Sequence, residues 1–423
     1  MALLIRNLSQ IATPTGRAGV RGAAMRNLTI LDDAVIVIRD GRIAYIGPDR
    51  RTGIAITEEF DARRATAIPG FVDSHTHLPW AGFRESEFNR RLQGETYEQI
   101  AASGGGIAST VRATRAASED RLVDNIVERA RTMARHGTTT AEAKSGYGLN
   151  VDHELKQLRA IRRAGERSPL RLVSTCLAAH EFPPERRDAT YVDEIVEHIL
   201  PAVAAEKLAT FCDAFVERGV FTREQGQGVL RAGISLGLIP RLHADELSDT
   251  DGASLAAELQ AASADHLMYV SDRGVAALAA SNTVANLLPA TSFFLMSPRY
   301  APARALIDAG AIVSLSTDCN PGSSMTESMS MVIQLATLQM KMTVEESLTA
   351  ATLNGAHSLR LADEVGSIEI GKRADIVLLD APNYLHLVYH FGVNLVRDVL
   401  RDGEFVVRDQ RLVYGARAGE ARR

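Results

Sequence analysis

The chain has 423 residues, 46% hydrophobic and 23% charged, enough apolar content to bury a large core and build one large domain with a smaller one beside it. A net charge of −5 offers no basic surface for nucleic acid, so a small molecule is the expected partner. The three cysteines, Cys176, Cys212 and Cys319, have no paired spacing, which argues against a disulfide framework and for a reducing, cytoplasmic setting. The opening Ala2-Leu3-Leu4-Ile5 run is too short for a signal segment and no run of about 18 apolar residues occurs, so neither export nor a membrane span is expected.

In chain order, residues 1–65 read as β-structure. Leu3-Ile5, Leu28-Leu31, Val35-Ile38 and Ile43-Ile46 are short β-prone runs, with Asp40-Gly41 as a hairpin turn between the last two. Residues 66–365 alternate apolar strand-like runs with helical patterns. The predicted strands are Phe71-Ser74, Thr138-Ala143, Leu172-Leu177, Thr210-Phe215, Leu238-His243, Ala264-Leu267, Thr283-Leu287 and Ile312-Ser316. Among the helices between them, Glu119 to Arg135 repeats Leu122, Ile126 and Met133 at helical spacing and is stopped by Gly137. Residues 366–423 return to β texture, with Ile376-Leu379, Val399-Leu400, Glu404-Val407, Leu412-Tyr414 and an Asp402-Gly403 turn. The expected fold is therefore α/β: a (β/α)8 TIM-like barrel over 66–365, carrying a small β-sandwich domain built from both termini, 1–65 and 366–423.

Barrel enzymes place their chemistry at the carboxyl ends of the strands. Those ends carry, in order, His75 and His77, Glu142 with Lys144, His180, Asp213, His243, His266, Leu287-Leu288-Pro289, and Asp318. A lone strand-end histidine is usually a satisfied core residue, but convergence on one barrel mouth favours a metal. Residues two apart on a strand face the same way, so His75 and His77 can aim at one point. His75, His77, His243 and Asp318 supply three imidazoles and one carboxylate for a divalent ion, leaving a position for water. Such an ion is a Lewis acid that lowers the pKa of bound water, and Asp318 has lone pairs both to ligate and to accept the water proton. His266 is placed to polarise a carbonyl. Glu246, three residues beyond His243, is the candidate proton shuttle, and Asp245 is its competitor.

The stretch Pro69-Gly70-Phe71-Val72-Asp73-Ser74-His75-Thr76-His77 resembles the signature of the metal-dependent amidohydrolase superfamily. Glu142-Ala143-Lys144-Ser145-Gly146-Tyr147-Gly148-Leu149, His243-Ala244-Asp245-Glu246, Ser316-Thr317-Asp318-Cys319-Asn320-Pro321-Gly322 and Tyr389-His390-Phe391-Gly392-Val393-Asn394 are similar to the narrower imidazolonepropionase family. The resemblance implies hydrolysis of the cyclic amide of 4-imidazolone-5-propanoate to N-formimidoyl-L-glutamate in histidine degradation, by a metal-activated water on one divalent ion, zinc or iron, in a homodimer. It implies substrate binding by Arg84, Tyr147, His180, Glu246, Asn320, Gly322 and Ser323, with Tyr97 a weaker candidate, and catalysis by Glu246, His266 and Asp318. An arginine fork suits the propanoate tail, and the Pro321-Gly322 turn is expected to expose backbone N–H groups. The plain alternatives are a solvated loop charge for Arg84 and a turn-closing role for Tyr147.

Other features have competing readings. Lys144 is either a carboxylated lysine bridging two metals or a pocket and salt-bridge residue; its neighbours Ser145-Gly146-Tyr147 favour the second. Gly366 to Arg373 approaches P-loop spacing but ends in Arg373 instead of Ser or Thr, so nucleotide binding is rejected. Ser103-Gly104-Gly105-Gly106 can cradle an anion, hinge a lid or be a plain flexible loop. Cys319 reads as packing, and Met325, Met329, Met331 and Met340 as core filling. Two other functional classes are a mononuclear aminohydrolase (deaminase) of a nucleobase-like heterocycle, which needs no Arg84, and a non-catalytic metal-binding relative, against which Glu246, His266 and Asp318 argue.

Overall fold

The computed structural model describes residues 2–49, 53–95, 99–100 and 103–415. Seven strands precede the barrel: β1 (Ala2–Arg6), β2 (Gln10–Thr13), β3 (Thr29–Asp32), β4 (Ala34–Arg39), β5 (Arg42–Pro48), β6 (Glu58–Asp61) and β7 (Thr66–Pro69). Eight form the barrel: β8 (Phe71–Asp73), β9 (Thr138–Lys144), β10 (Arg171–Ala179), β11 (Phe211–Val216), β12 (Ile239–Ala244), β13 (Ser263–His266), β14 (Val284–Leu287) and β15 (Ile312–Leu315). Four follow: β16 (Ile376–Leu379), β17 (Val396–Arg401), β18 (Glu404–Arg408) and β19 (Arg411–Leu412).

All eight barrel strands pair in parallel in sequence order from β8 to β15. Beyond the last strand the chain comes back to the first: Thr76 pairs in parallel with Cys319, Asp318 N–H donates to His75 C=O and His77 N–H to Cys319 C=O. The expected TIM-like barrel is thus present, and the eight predicted strands all lie in it. Helix Glu119–Arg135 starts at the Ser118 cap, buries Leu122, Ile126 and Met133, and ends before Gly137, whose φ of +90° continues no helix.

Both termini build the second body. A four-stranded sheet in the order β5-β4-β1-β6 faces a seven-stranded sheet in the order β19-β18-β17-β16-β7-β2-β3. Between them lies a core of Leu3, Ile5, Ile36, Ile38, Ile376, Leu378 and Leu400. Antiparallel pairing of β16 with β7, Ile376 opposite Pro69, joins the two ends of the chain, and one residue later β8 enters the barrel. Met329 and Met340 fill the core as expected, whereas Met325 is 37% exposed, because it lies in the loop before helix Met329–Met340. Among the described residues no helix is long and apolar enough to cross a membrane.

Candidate metal centre and active site

Strand alternation explains which side chains meet inside the barrel. Glu142 and Lys144 on β9, Asp213 on β11, and Arg241 and His243 on β12 occupy same-face positions, and Asp265 on β13 lies in register with His243. His266 follows Asp265 and on a regular strand would face the opposite way. Its φ of +80° turns the chain there, and Asp245 and Asp318 bend after their strands with φ of +52° and +54°.

The four expected ligands converge. Ligand atoms of His75, His77 and Asp318 lie within 4.8 Å of one another, and so do those of His75, His243 and His266, the two trios sharing His75. Asp318 Oδ1 is 3.5 Å from His75 Nε2 and 3.4 Å from His77 Nε2, while its Oδ2 accepts from Thr291 Oγ1 at 2.7 Å. His75 Nε2 and His243 Nε2 are buried with no hydrogen-bond partner among the described residues, the condition in which a nitrogen lone pair suits a cation. Burial, then the field of Lys144, holds His75 well below the usual histidine range, and burial brings His243 down to about 4 against the pull of Asp213. Both rings are neutral at neutral pH. Burial alone would raise Asp318, but the hydrogen bond from His77 and the fields of His266 and His77 outweigh it and hold the carboxyl at about 2. Three imidazoles and one carboxylate therefore fit a divalent N/O-seeking cation.

Beneath them lies a fully buried charge network. His75 Nδ1 is 3.0 Å from Asp265 Oδ2, and His243 Nδ1 is 3.1 Å from Asp213 Oδ2. Lys144 Nζ sits 2.7 Å from Asp213 Oδ2, 2.8 Å from Glu142 Oε2 and 3.9 Å from Asp265 Oδ2. Arg241 Nε is 3.1 Å from Glu142 Oε1, and its Nη2 lies 3.6 Å from Asp265 Oδ1 and donates to Ser74 C=O at 2.8 Å. Burial opposes the charge on Lys144, yet Asp213 and Glu142 raise its pKa above the ordinary lysine value. Lys144 is a salt-bridge residue, as its neighbours suggested.

The remaining candidates line the mouth. His180 Nδ1 faces Gly146 C=O at 3.0 Å and its ring stacks on His77 at 5.0 Å; a carbonyl only accepts, so Nδ1 carries the proton and Nε2 is an acceptor. Tyr147 is buried, its ring 5.9 Å from His77 and 5.4 Å from His180. Glu246 Oε2 is 3.6 Å from His266 Nε2, and burial raises its carboxyl above the ordinary range. Its competitor Asp245 is occupied, accepting from the backbone N–H of Thr250, Gly252 and Ala253. Arg84 donates through Nε to Glu87 at 2.8 Å and lies against Gly322.

Two expectations change. The N–H groups of Gly322 and Ser323 are not offered to a ligand: both donate to Asn320 Oδ1, at 2.8 and 2.9 Å, because the Asn320 side chain folds back over its own turn. Its amide nitrogen is likewise spent on Asp318 C=O and Ser323 Oγ, so all four of its hydrogen-bond positions are filled within the loop. The anion at Gly104–Gly106 is the chain's own, since Glu87 accepts from Gly106 N–H at 3.0 Å and pairs with Arg84. Tyr97 lies outside the described residues.

Sequence reading passed over Asp265, Arg241 and Thr291, and left Asp213 without a role. The available signal was an acidic or basic residue inside an otherwise apolar barrel strand, Arg241 two before His243 and Asp265 one before His266.

Residues 241–407 match the amidohydrolase family. The fold resembles that of a solved adenosine deaminase from Xanthomonas campestris with bound zinc, at TM-score 0.71 and 20% identity over 97% of this chain and 94% of that one. It also resembles N-isopropylammelide isopropylaminohydrolase from Burkholderia multivorans, at TM-score 0.71 and 21% identity over 98% of this chain and 100% of that one. At such identities the likeness shows the architecture alone. Relatives by sequence are nearer: an imidazolonepropionase of Geobacillus sp. (strain WCH70) is 47% identical over 97% of this chain and 99% of its own length. One from Porphyromonas gingivalis (strain ATCC BAA-308 / W83) is 48% identical over 96% of this chain and 97% of its own. With the amidohydrolase barrel and its histidine–aspartate centre in place, identity of this extent from end to end means that the chain belongs to the imidazolonepropionase family.

Proposed function

We propose that this hydrolase opens the ring of 4-imidazolone-5-propanoate to give N-formimidoyl-L-glutamate in histidine degradation. The observation that carries the reading is the convergence of His75, His77, His243 and Asp318 in a chain 44–48% identical to curated imidazolonepropionases. These four residues would hold one divalent cation, zinc or iron, both of which suit imidazole and carboxylate donors. When bound, the cation supplies Lewis acidity and lowers the pKa of water.

The chain's own groups do the rest. Asp318, kept ionised and anchored by Thr291, takes the proton of the attacking water. His266 donates toward the ring carbonyl as negative charge develops on its oxygen. Glu246, 3.6 Å from His266, carries the proton onward to the leaving nitrogen. The water oxygen joins the acyl carbon, the ring C–N bond breaks, and nitrogen keeps the electron pair and takes the proton. His180 Nε2 accepts a ring N–H, Tyr147 closes the side of the pocket, and Arg84 pairs with the propanoate. Asn320 and Gly322 act by shaping the turn beside Arg84, and Ser323 Oγ, 3.5 Å from Asp318 Oδ2, borders the substrate. Three buried free cysteines support a cytoplasmic setting, and the family resemblance supports a homodimer.

Turnover and metal content measured on one sample test the reading. Ring opening with one cation per chain is expected; deamination of a nucleobase without ring opening would overturn it. Arg84→Met should weaken substrate binding while leaving kcat largely intact, and an unchanged KM would remove Arg84 from the tail site.

A further inference from the structure

The charge network beneath the centre is larger than ligand binding alone requires. Glu142, Asp213 and Asp265 are three carboxylates against two cations, Lys144 and Arg241, and every one of these side chains is buried. That leaves one negative charge in excess within this network, Asp318 beside it adds another, and a bound dication would offset them. Burial of unbalanced charge is costly unless something compensates it. The carboxylates are also aimed: Asp265 Oδ2 meets His75 Nδ1 at 3.0 Å and Asp213 Oδ2 meets His243 Nδ1 at 3.1 Å. A carboxylate only accepts, so the His75 ring carries its proton on Nδ1 and presents a bare Nε2; His243 Nδ1 lies against Asp213 Oδ2 at 3.1 Å without an aligned hydrogen bond, and its Nε2 is likewise without a partner among the described residues.

We propose that Asp213 and Asp265, clamped by Lys144 and Arg241, are positioning residues that fix the tautomer and direction of His243 and His75 for cation binding. The inference rests on the metal centre assigned above. Lys144 is the shared brace, touching Asp213 and Glu142 and reaching toward Asp265, so the two histidines are set by one network. Hydrogen-bond partners of this kind raise ligand basicity, and their loss typically weakens metal binding by 10–100-fold.

Asp265→Asn is the sharper variant. Asp265 faces donors on both sides, His75 Nδ1 and Arg241 Nη2, and an amide can accept on only one of them. Its N–H2 group is set against the other. Asp213→Asn keeps the shape and removes the charge beside His243. Cation affinity of the metal-free protein is measured by competition with a chromogenic chelator using Zn2+, and the visible absorption of the Co2+ form reports ligand geometry. The wild type should bind one cation, and each variant should bind about 10–100-fold more weakly, with an altered Co2+ band, and a lower metal-free Tm from the disturbed buried charge network. A folded variant of either kind with wild-type affinity and spectrum overturns the positioning role of its residue. A wild-type protein that binds no divalent cation overturns the metal centre itself, a separate result.

Discussion

A single missing carbon shapes the mouth of the site. A Cβ at position 322 would lie 2.2 Å from Arg84 Nη1, so the guanidinium occupies the space that any other residue would fill. Gly322→Ala should push Arg84 aside and raise KM about tenfold with a smaller change in kcat, read by steady-state kinetics; an unaltered KM would mean that Arg84 binds no substrate. Asp318→Asn should abolish turnover, because the amide neither takes the water proton nor contributes charge to the centre, and retained activity would sink the mechanism. At this scale the sequence revealed residues that end strands and hid those that sit inside them. His75, His77, His243 and Asp318 stand out because strand ends face the barrel mouth. Asp265 was masked by its neighbour: one residue carries the orienting carboxylate, the next carries His266, and only the left-handed turn at His266 lets both serve the centre.

The loop that carries Tyr147 is held by two side chains of the helix that follows it. Glu154, near the start of helix Val151–Gly165, accepts from Gly146 N–H at 3.2 Å and from Gly148 and Leu149 N–H at 2.8 Å each. Gln157, one turn on, accepts from Tyr147 N–H and donates to Pro79 C=O. These bonds fix the peptide that carries Tyr147 and the carbonyl that sets His180. Glu154→Gln turns an N–H2 group against a backbone N–H and should destabilise the fold by about 1–3 kcal/mol, visible as a lower midpoint of denaturant unfolding. Unchanged stability would show that the loop holds itself. The eight barrel strands were legible because they are runs of apolar residues bounded by turn signals. Strands β2, β6 and β7 were not: Gln10–Thr13 and Glu58–Asp61 are four-residue, polar-flanked segments whose strand character comes from the partners they meet.

Across the whole molecule, the barrel and the terminal sheets are tied by ions at the barrel's amino end. Arg171, opening β10, donates to Asp375 Oδ2 and Asp402 Oδ1, both at 2.8 Å, and Asp375 is almost wholly buried. Arg171→Ala strands that carboxylate and should cost about 3 kcal/mol, seen as a lower Tm; a wild-type Tm would mean that this ion pair contributes nothing to holding the two bodies together. Acid should act at Glu346, which receives bonds from Arg304 and Arg26 and caps its own helix through Thr343. Burial would raise its pKa, but the bonds from Arg304, Thr343 and Arg26 bring it below the ordinary value of 4.5. The unfolded chain then binds the proton more readily, so this stability is complete above pH 4.5 and is lost as pH falls through the lower folded value. Glu346→Gln should flatten that part of the curve of Tm against pH, and a curve of unchanged slope would assign acid sensitivity elsewhere. Which termini pair could not be read in advance, since the pairing of β7 with β16 joins segments with no local signal for each other.

That pairing sets an order of events during synthesis. Pro69 meets Ile376, so β7 leaves the ribosome and waits until 307 more residues have been made before its partner exists. At roughly 5–20 residues per second the wait is on the order of 15–60 s. Throughout it, the β7 edge that carries Ala67 and Ile68 has no strand beside it on the β16 side, while β2 already covers the other. All eight barrel strands are therefore synthesised before the strand that joins the two ends of the chain, and a chain arrested there would lack the partner of an apolar edge of the kind that invites aggregation.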